Sequence, residues 1–243
     1  MKPKIINKTK HNKIANSRVI EVEDLGLVPY KIAWEYQQKL VKERLKNPEL
    51  PDKLLLVEHP TVYTLGTGST LDNLKFDLNN FSGEIYRTER GGEVTFHCDG
   101  QIVVYPILNL YYYQQDLHWY LRQLEEVIIQ LLAQYDVKGQ RINGLTGVWV
   151  NDEKIAAIGI KVKRWITMHG FALNVCCDLS GFDQIIPCGI KNKFVTRLSH
   201  YDPDVNILEV KEELVKTFFQ VFSVVTLKTQ ESSSEKKVAQ SDQ

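Results

Sequence analysis

Residues 147–175 read "GVWVNDEKIAAIGIKVKRWITMHGFALNV", and this stretch decides the fold class. It holds three strand-like runs, "GVWV", "KIAAIGIKV" and "HGFALNV", built largely from β-branched and other apolar residues. The polar triplet Asn151-Asp152-Glu153 lies between the first two runs, and such a turn predicts a hairpin. Working outward, further strand-like runs lie at residues 18–22, 53–59, 61–65, 84–89, 93–97 and 101–107. Helical periodicity occurs in three segments. Ala33, Tyr36, Leu40 and Val41 share a face within residues 30–46. Leu117, Leu121, Leu124, Ile128, Leu131 and Leu132 do so within 114–135, and Ile207, Val210, Leu214, Phe218 and Val221 within 206–222. Helices grouped between runs of strands predict an α+β fold with a mixed, mostly antiparallel sheet and packed helices, not a βαβ alternation.

The chain has 243 residues, 43% hydrophobic and 25% charged, the profile of an ordinary soluble globular protein. Thirty basic residues balance thirty acidic ones, so no overall charge draws it to nucleic acid or to anionic lipid. No run of 18 apolar residues predicts a membrane span. The basic N-terminal stretch lacks an apolar core and is expected to be a solvated arm over residues 1–17. The polar stretch 228–243 is expected to be a disordered tail, leaving one catalytic domain over 18–227. Four cysteines, two of them adjacent, favour reduced thiols and a cytoplasmic setting over a disulfide framework.

Three stretches could carry chemistry. In "TERGGEVTFHCDGQIVVYPI", residues 88–107, Gly91 and Gly92 interrupt a strand and allow close approach by a ligand, with Arg90 and His97 flanking them. In the second, Lys154 opens a strand whose Ala156, Ala157 and Gly159 leave room beside the sheet. A lysine there is either a strand-end charge reaching water or a cation held beside a thiolate. The third is "QIIPCGIKNK", residues 184–193, where Pro187 and Gly189 frame Cys188. A buried structural cysteine needs no such frame, whereas an approachable nucleophile does. No metal site is expected, because no C-x-x-C or H-x-x-x-H pair occurs. No phosphate-loop motif occurs either.

In this order, "RGGEVTFH" with "GQ" following, "KIAAIG", "HGFALN" and "PCG" resemble the lipoyl(octanoyl) transferase family, over about residues 50–200. The resemblance implies a fold like that of biotin and lipoate protein ligases. It also implies transfer of an octanoyl group from octanoyl-acyl carrier protein to a lysine of lipoyl domains. The acceptors would be those of 2-oxoacid dehydrogenase complexes and the glycine cleavage H protein. Carried over residue by residue, Cys188 is the nucleophile and Lys154 the residue that lowers its pKa. Substrate contacts fall on Arg90, Gly91, Gly92, Glu93, Val94, Thr95, Phe96 and His97, then on Ala157, Ile158 and Gly159, then on Gly170, Phe171 and Ala172. No cofactor, nucleic acid or membrane is implied, and a monomer is expected. Cys98-Asp99 departs from the small residue and proline usual before "GQ"; we read Cys98 as packing. An ATP-dependent lipoate or biotin ligase is the rival on the same fold, and a non-catalytic lipoyl-domain binder the rival from another class. Basic residues Lys161, Lys163 and Arg164, and Lys191, Lys193 and Arg197, could dock an acidic carrier protein.

Overall fold

The structure, a computed structural model, describes residues 18–186 and 194–222. The segments 1–17 and 228–243, and Cys188 with its neighbours, lie outside the described residues. In chain order the strands and α-helices are β1 (Ile20–Leu27), α1 (Tyr30–Lys46), β2 (Asp52–Glu58), β3 (Val62–Leu65), β4 (Glu84–Arg87), β5 (Val94–His97) and β6 (Gln101–Ile107). There follow α2 (Leu117–Ala133), β7 (Val148–Val150), β8 (Glu153–Lys163), β9 (Ile166–Asn174) and α3 (Ile207–Phe222).

A six-stranded sheet runs β1-β2-β6-β9-β8-β7. Only the β1–β2 edge is parallel; the other neighbours are antiparallel. A smaller sheet, β4-β3-β5, pairs β3 parallel with β4 and antiparallel with β5. The predicted hairpin joins β7 to β8, with Asn151 and Asp152 both in the left-handed region at φ 47° and 68°. That conformation matches the twist of the flanking strands, and Asn and Asp tolerate it better than most residues.

Strand alternation separates two cores. Ile102, Val104, Phe171 and Leu173 turn to one face of the large sheet and pack with α2 and α3. Val103, Tyr105, Met168 and Ala172 turn to the other, where α1 supplies Ala33, Leu40 and Val41. On α2 the buried stripe is shifted from the expected one: Tyr120 and Val127 are fully buried, whereas Leu117 is exposed. The reason is local. Leu117 is the first helical residue after Asp116, whose carboxylate caps the helix by accepting from the N–H groups of His118 and Trp119. Glu125, a charged residue inside that stripe, is buried as well. Among the described residues no helix is long and apolar enough to cross a membrane.

Candidate active site

On the α1 face the sequence of β8 and β9 leaves a gap. Ala157 pairs with Ala172 and Gly159 with Gly170, so four adjacent positions on one face carry a methyl group or nothing. Their neighbours Ile158 and Phe171 pack into the helical core on the opposite side. The loop Arg90–Glu93 and strand β5 roof the gap, bordering a cavity of about 250 Å³. Gly91 donates to the Ile160 carbonyl oxygen at 2.9 Å, which pins the roof to β8. A Cβ at Gly159 would come within 2.7 Å of the Gly91 carbonyl oxygen, so this contact requires glycine.

Of the expected residues, Arg90, Gly92, Glu93, Val94, Thr95, His97, Lys154, Ala157–Gly159 and Gly170–Ala172 border this cavity. Gly91 and Phe96 do not. Gly91 holds the roof, and Phe96 packs into a third apolar cluster with Tyr63 and Phe182. Cys98 joins that cluster, buried near Cys177, with its Sγ 3.4 Å from the Asp178 carbonyl oxygen. The interaction with Cys177 lowers the Cys98 pKa, and the same contact together with burial raises that of Cys177. Cys98, Cys176 and Cys177 are free thiols, and of the three only Cys176 is exposed.

Lys154, 6% exposed, borders the cavity. Among its described contacts, Nζ donates to the Thr146 carbonyl oxygen at 3.3 Å and lies 4.7 Å from the centre of a Trp149 ring. Its backbone N–H donates to the Phe194 carbonyl oxygen at 2.9 Å, and its carbonyl accepts from Thr196 N at 2.9 Å. Phe194 is the first described residue after the segment that holds Cys188. The other side of that segment is also tied down, Ile186 N donating to the Asn73 carbonyl oxygen at 2.8 Å.

Buried polar groups line the rest. Arg90 donates to the Thr64 hydroxyl and carbonyl and to the carbonyls of Gly91 and Glu93, stapling the roof to β3. His97 Nδ1 lies 2.7 Å from Gln101 Oε1, while Gln101 Nε2 donates to Asn174 Oδ1 and Asn174 Nδ2 to the Thr196 carbonyl oxygen. This amide order makes His97 Nδ1 the protonated nitrogen, leaving Nε2 to accept from Thr64. Behind it, His59 donates to the Val28 carbonyl and accepts from the Tyr105 hydroxyl. Burial keeps both rings neutral: the pKa of His97 falls to about 3 and that of His59 to about 4. Tyr30 stacks on His97 at 5.8 Å, and its burial pushes its pKa up to about 12.

Sequence motifs missed Tyr30 and the Gly144–Thr146 loop, which border the cavity. Gln101, Tyr105, His169 and Asn174 stood inside quoted stretches without being singled out. His169 is 1% exposed at φ 58°, its Nε2 3.8 Å from Glu89, and this pairing lowers the Glu89 pKa to about 2. Among the described residues no group of three or more His, Cys, Asp or Glu side chains could hold a metal ion.

The geometry suits an apolar chain beside a cation. Residues 29–219 match the family described as "Lipoyl protein ligase A/B catalytic domain". A Nostoc protein named octanoyltransferase is 58% identical over 199 residues, covering 82% of this chain and 90% of its own. Another octanoyltransferase, from Synechococcus elongatus, is 52% identical over 209 residues, with 86% and 90% covered. An Arabidopsis thaliana protein named as a chloroplastic octanoyltransferase is 46% identical over 238 residues, with 91% and 84% covered. Among solved structures, a lipoate-protein ligase A bound with ATP matches with a TM-score of 0.66 at 14% identity, covering 88% of this chain and 90% of that one. At that identity the likeness shows the shared fold alone.

Proposed function

The chain belongs to the lipoyl protein ligase A/B catalytic domain family, and from that premise we propose that it is an octanoyltransferase, moving an octanoyl group onto lipoyl domains. The observation that carries the residue-level reading is that Lys154 borders the same cavity as Ala157, Gly159, Gly170 and Ala172. Its backbone pairs with the chain that follows Cys188. We take octanoyl-acyl carrier protein as the donor. The acceptors are lipoyl domains of 2-oxoacid dehydrogenase complexes and the glycine cleavage H protein, and the enzyme works as a monomer in a reducing compartment, the cytoplasm.

In this mechanism the Lys154 ammonium favours the Cys188 thiolate over the thiol. The thiolate attacks the donor's thioester carbonyl, a new carbon–sulfur bond forms, and the old one breaks. The departing carrier sulfur takes a proton from the Lys154 ammonium to leave as its thiol, which makes Lys154 a neutral amine. The neutral amine of the acceptor lysine then attacks octanoyl-Cys188. A carbon–nitrogen bond forms, Cys188 is released as thiolate, and Lys154 or a water it orders takes the amine proton. Thioester to amide runs downhill, so no nucleotide enters. Burying about six methylenes at ~0.8 kcal/mol each holds the chain with about 5 kcal/mol.

For donor docking we favour the basic residues after Cys188. Arg197 follows Thr196, whose N–H bonds the Lys154 carbonyl. Lys163 and Arg164, at the β8–β9 turn, lie nine residues or about 30 Å along the strand from Lys154. The test of the class is nucleotide dependence: transfer from octanoyl-acyl carrier protein should proceed without ATP in the wild type and stop in Cys188→Ala. Pyrophosphate release driven by free octanoic acid would instead favour the ligase reading.

A further inference from the structure

The ammonium of Lys154 is held by a loop, and that loop is held from behind by a buried carboxylate. Thr146, whose carbonyl oxygen accepts from Lys154 Nζ, precedes Gly147. Gly147 sits at φ 123°, where a Cβ would come within 2.6 Å of the Ala156 carbonyl oxygen and 3.3 Å of Lys154 Cε. The Gly147 N–H donates to Glu125 Oε1 at 3.3 Å. Glu125 lies on α2, 1% exposed. Its other oxygen, Oε2, accepts from Arg122 Nη1 at 2.5 Å and from Arg141 Nε at 2.9 Å. Arg141 in turn bonds Glu126 Oε2 at 2.7 Å and the Arg122 carbonyl oxygen at 3.1 Å.

Stability does not account for this carboxylate. It stands among Leu124, Val127 and Ile128, where an apolar residue would fill the helix face, and burying an ion pair rarely adds net stability over an apolar replacement. What the carboxylate does supply is direction. One oxygen is fixed by two guanidinium groups, and the other meets the backbone N–H of the residue next to the one that holds Lys154.

We propose that Glu125 is a positioning residue for acyl transfer, setting the Thr146–Gly147 peptide and through it the place of the Lys154 ammonium in the cavity. The inference rests on the reading of Lys154 as the cation that activates Cys188. Moving a catalytic charge by about 1 Å can cost as much as a hundredfold in rate, so a residue outside the cavity can control it. Removing the Glu125 charge lets the loop and the ammonium drift.

The test reads the pH dependence of iodoacetamide alkylation at the Cys188 peptide in the full-length protein, in wild type, Glu125→Gln, Lys154→Ala and the double variant. Lys154→Ala should raise the alkylation midpoint by about one pH unit or more. Glu125→Gln should raise it by about half a unit in the wild-type background and not at all in the Lys154→Ala background, because both changes act through the same ammonium. Should Glu125→Gln fail to fold, Gly147→Ala disturbs the same peptide from the other side and should shift the midpoint in the same direction. A midpoint that moves in Lys154→Ala but in neither loop variant overturns the inference, as does an equal shift in both backgrounds. No shift in Lys154→Ala itself sinks the underlying thiolate reading instead.

Discussion

On one face of the six-stranded sheet, Ile102, Val104, Phe171 and Leu173 join α2 and α3 in one buried apolar core. On the other, the same strands present Ala157, Gly159, Gly170 and Ala172, and a cavity opens beneath a roof of polar residues. One backbone thus carries two opposite uses, set residue by residue by the alternation of β8 and β9. The packed face gives stability; the open face gives a slot and gives up cohesion there. Buried polar groups such as His59, His97 and Gln101 then have to be satisfied individually by hydrogen bonds.

If the faces divide labour in this way, damage to each should show in a different assay. The largest effect is expected on the packed face. Phe218, fully buried and stacked on Phe222 at 4.4 Å, should lose about 3–5 kcal/mol of stability as Phe218→Ala in urea unfolding, with acyl-chain preference unchanged. The open face should respond to acid. His59 and His97 are held neutral in the folded protein, at about 4 and about 3, but protonate near 6.5 when unfolded. The stability they contribute is therefore complete above about pH 6.5 and falls as the pH drops toward their folded values, by about 2 kcal/mol per ring at pH 5. Urea titrations at pH 7 and pH 5 should show this loss, and a His59→Gln variant should show less of it.

A smaller, selective effect belongs to the slot. Ala172→Leu should favour acyl chains shorter than octanoyl by about 10- to 200-fold in relative kcat/KM, at little cost in stability. Equal losses for every chain length would mean that Ala172 does not face the acyl chain. The smallest effect is expected outside both faces: Lys163→Glu, exposed at the far end of β8, should change transfer less than about twofold at low salt. A Lys191→Glu, Lys193→Glu double variant should slow acylation more and blunt its salt dependence.

The packed face was the more legible in the sequence. Residues 30–46 and 206–222 announce α1 and α3 within a residue of their ends, because a helix that buries a stripe must repeat it locally. The small-residue strands and glycine pair also mark the cavity, since empty space is written as missing side chains. What the sequence hides is what depends on distant partners. Nothing near Glu125 says that Arg141 and Gly147 will meet it, and a charge within an apolar stripe reads as a solvated position. His59 looks like an unremarkable histidine until Val28 and Tyr105 close around it. Phe96 stood in a binding motif, yet it packs against Tyr63 and Phe182 in an apolar cluster.

The account depends on one sulfur taking the acyl group beside Lys154. The most direct measurement mixes the protein with octanoyl-acyl carrier protein, quenches in acid, and locates the added octanoyl group by intact mass and peptide mapping. A single octanoyl group on the Cys188 peptide, sharply reduced in Lys154→Ala, is the predicted result. An octanoyl group on Cys98, Cys176 or Cys177 in its place, or transfer to a lipoyl domain with no acyl-protein formed, would contradict it.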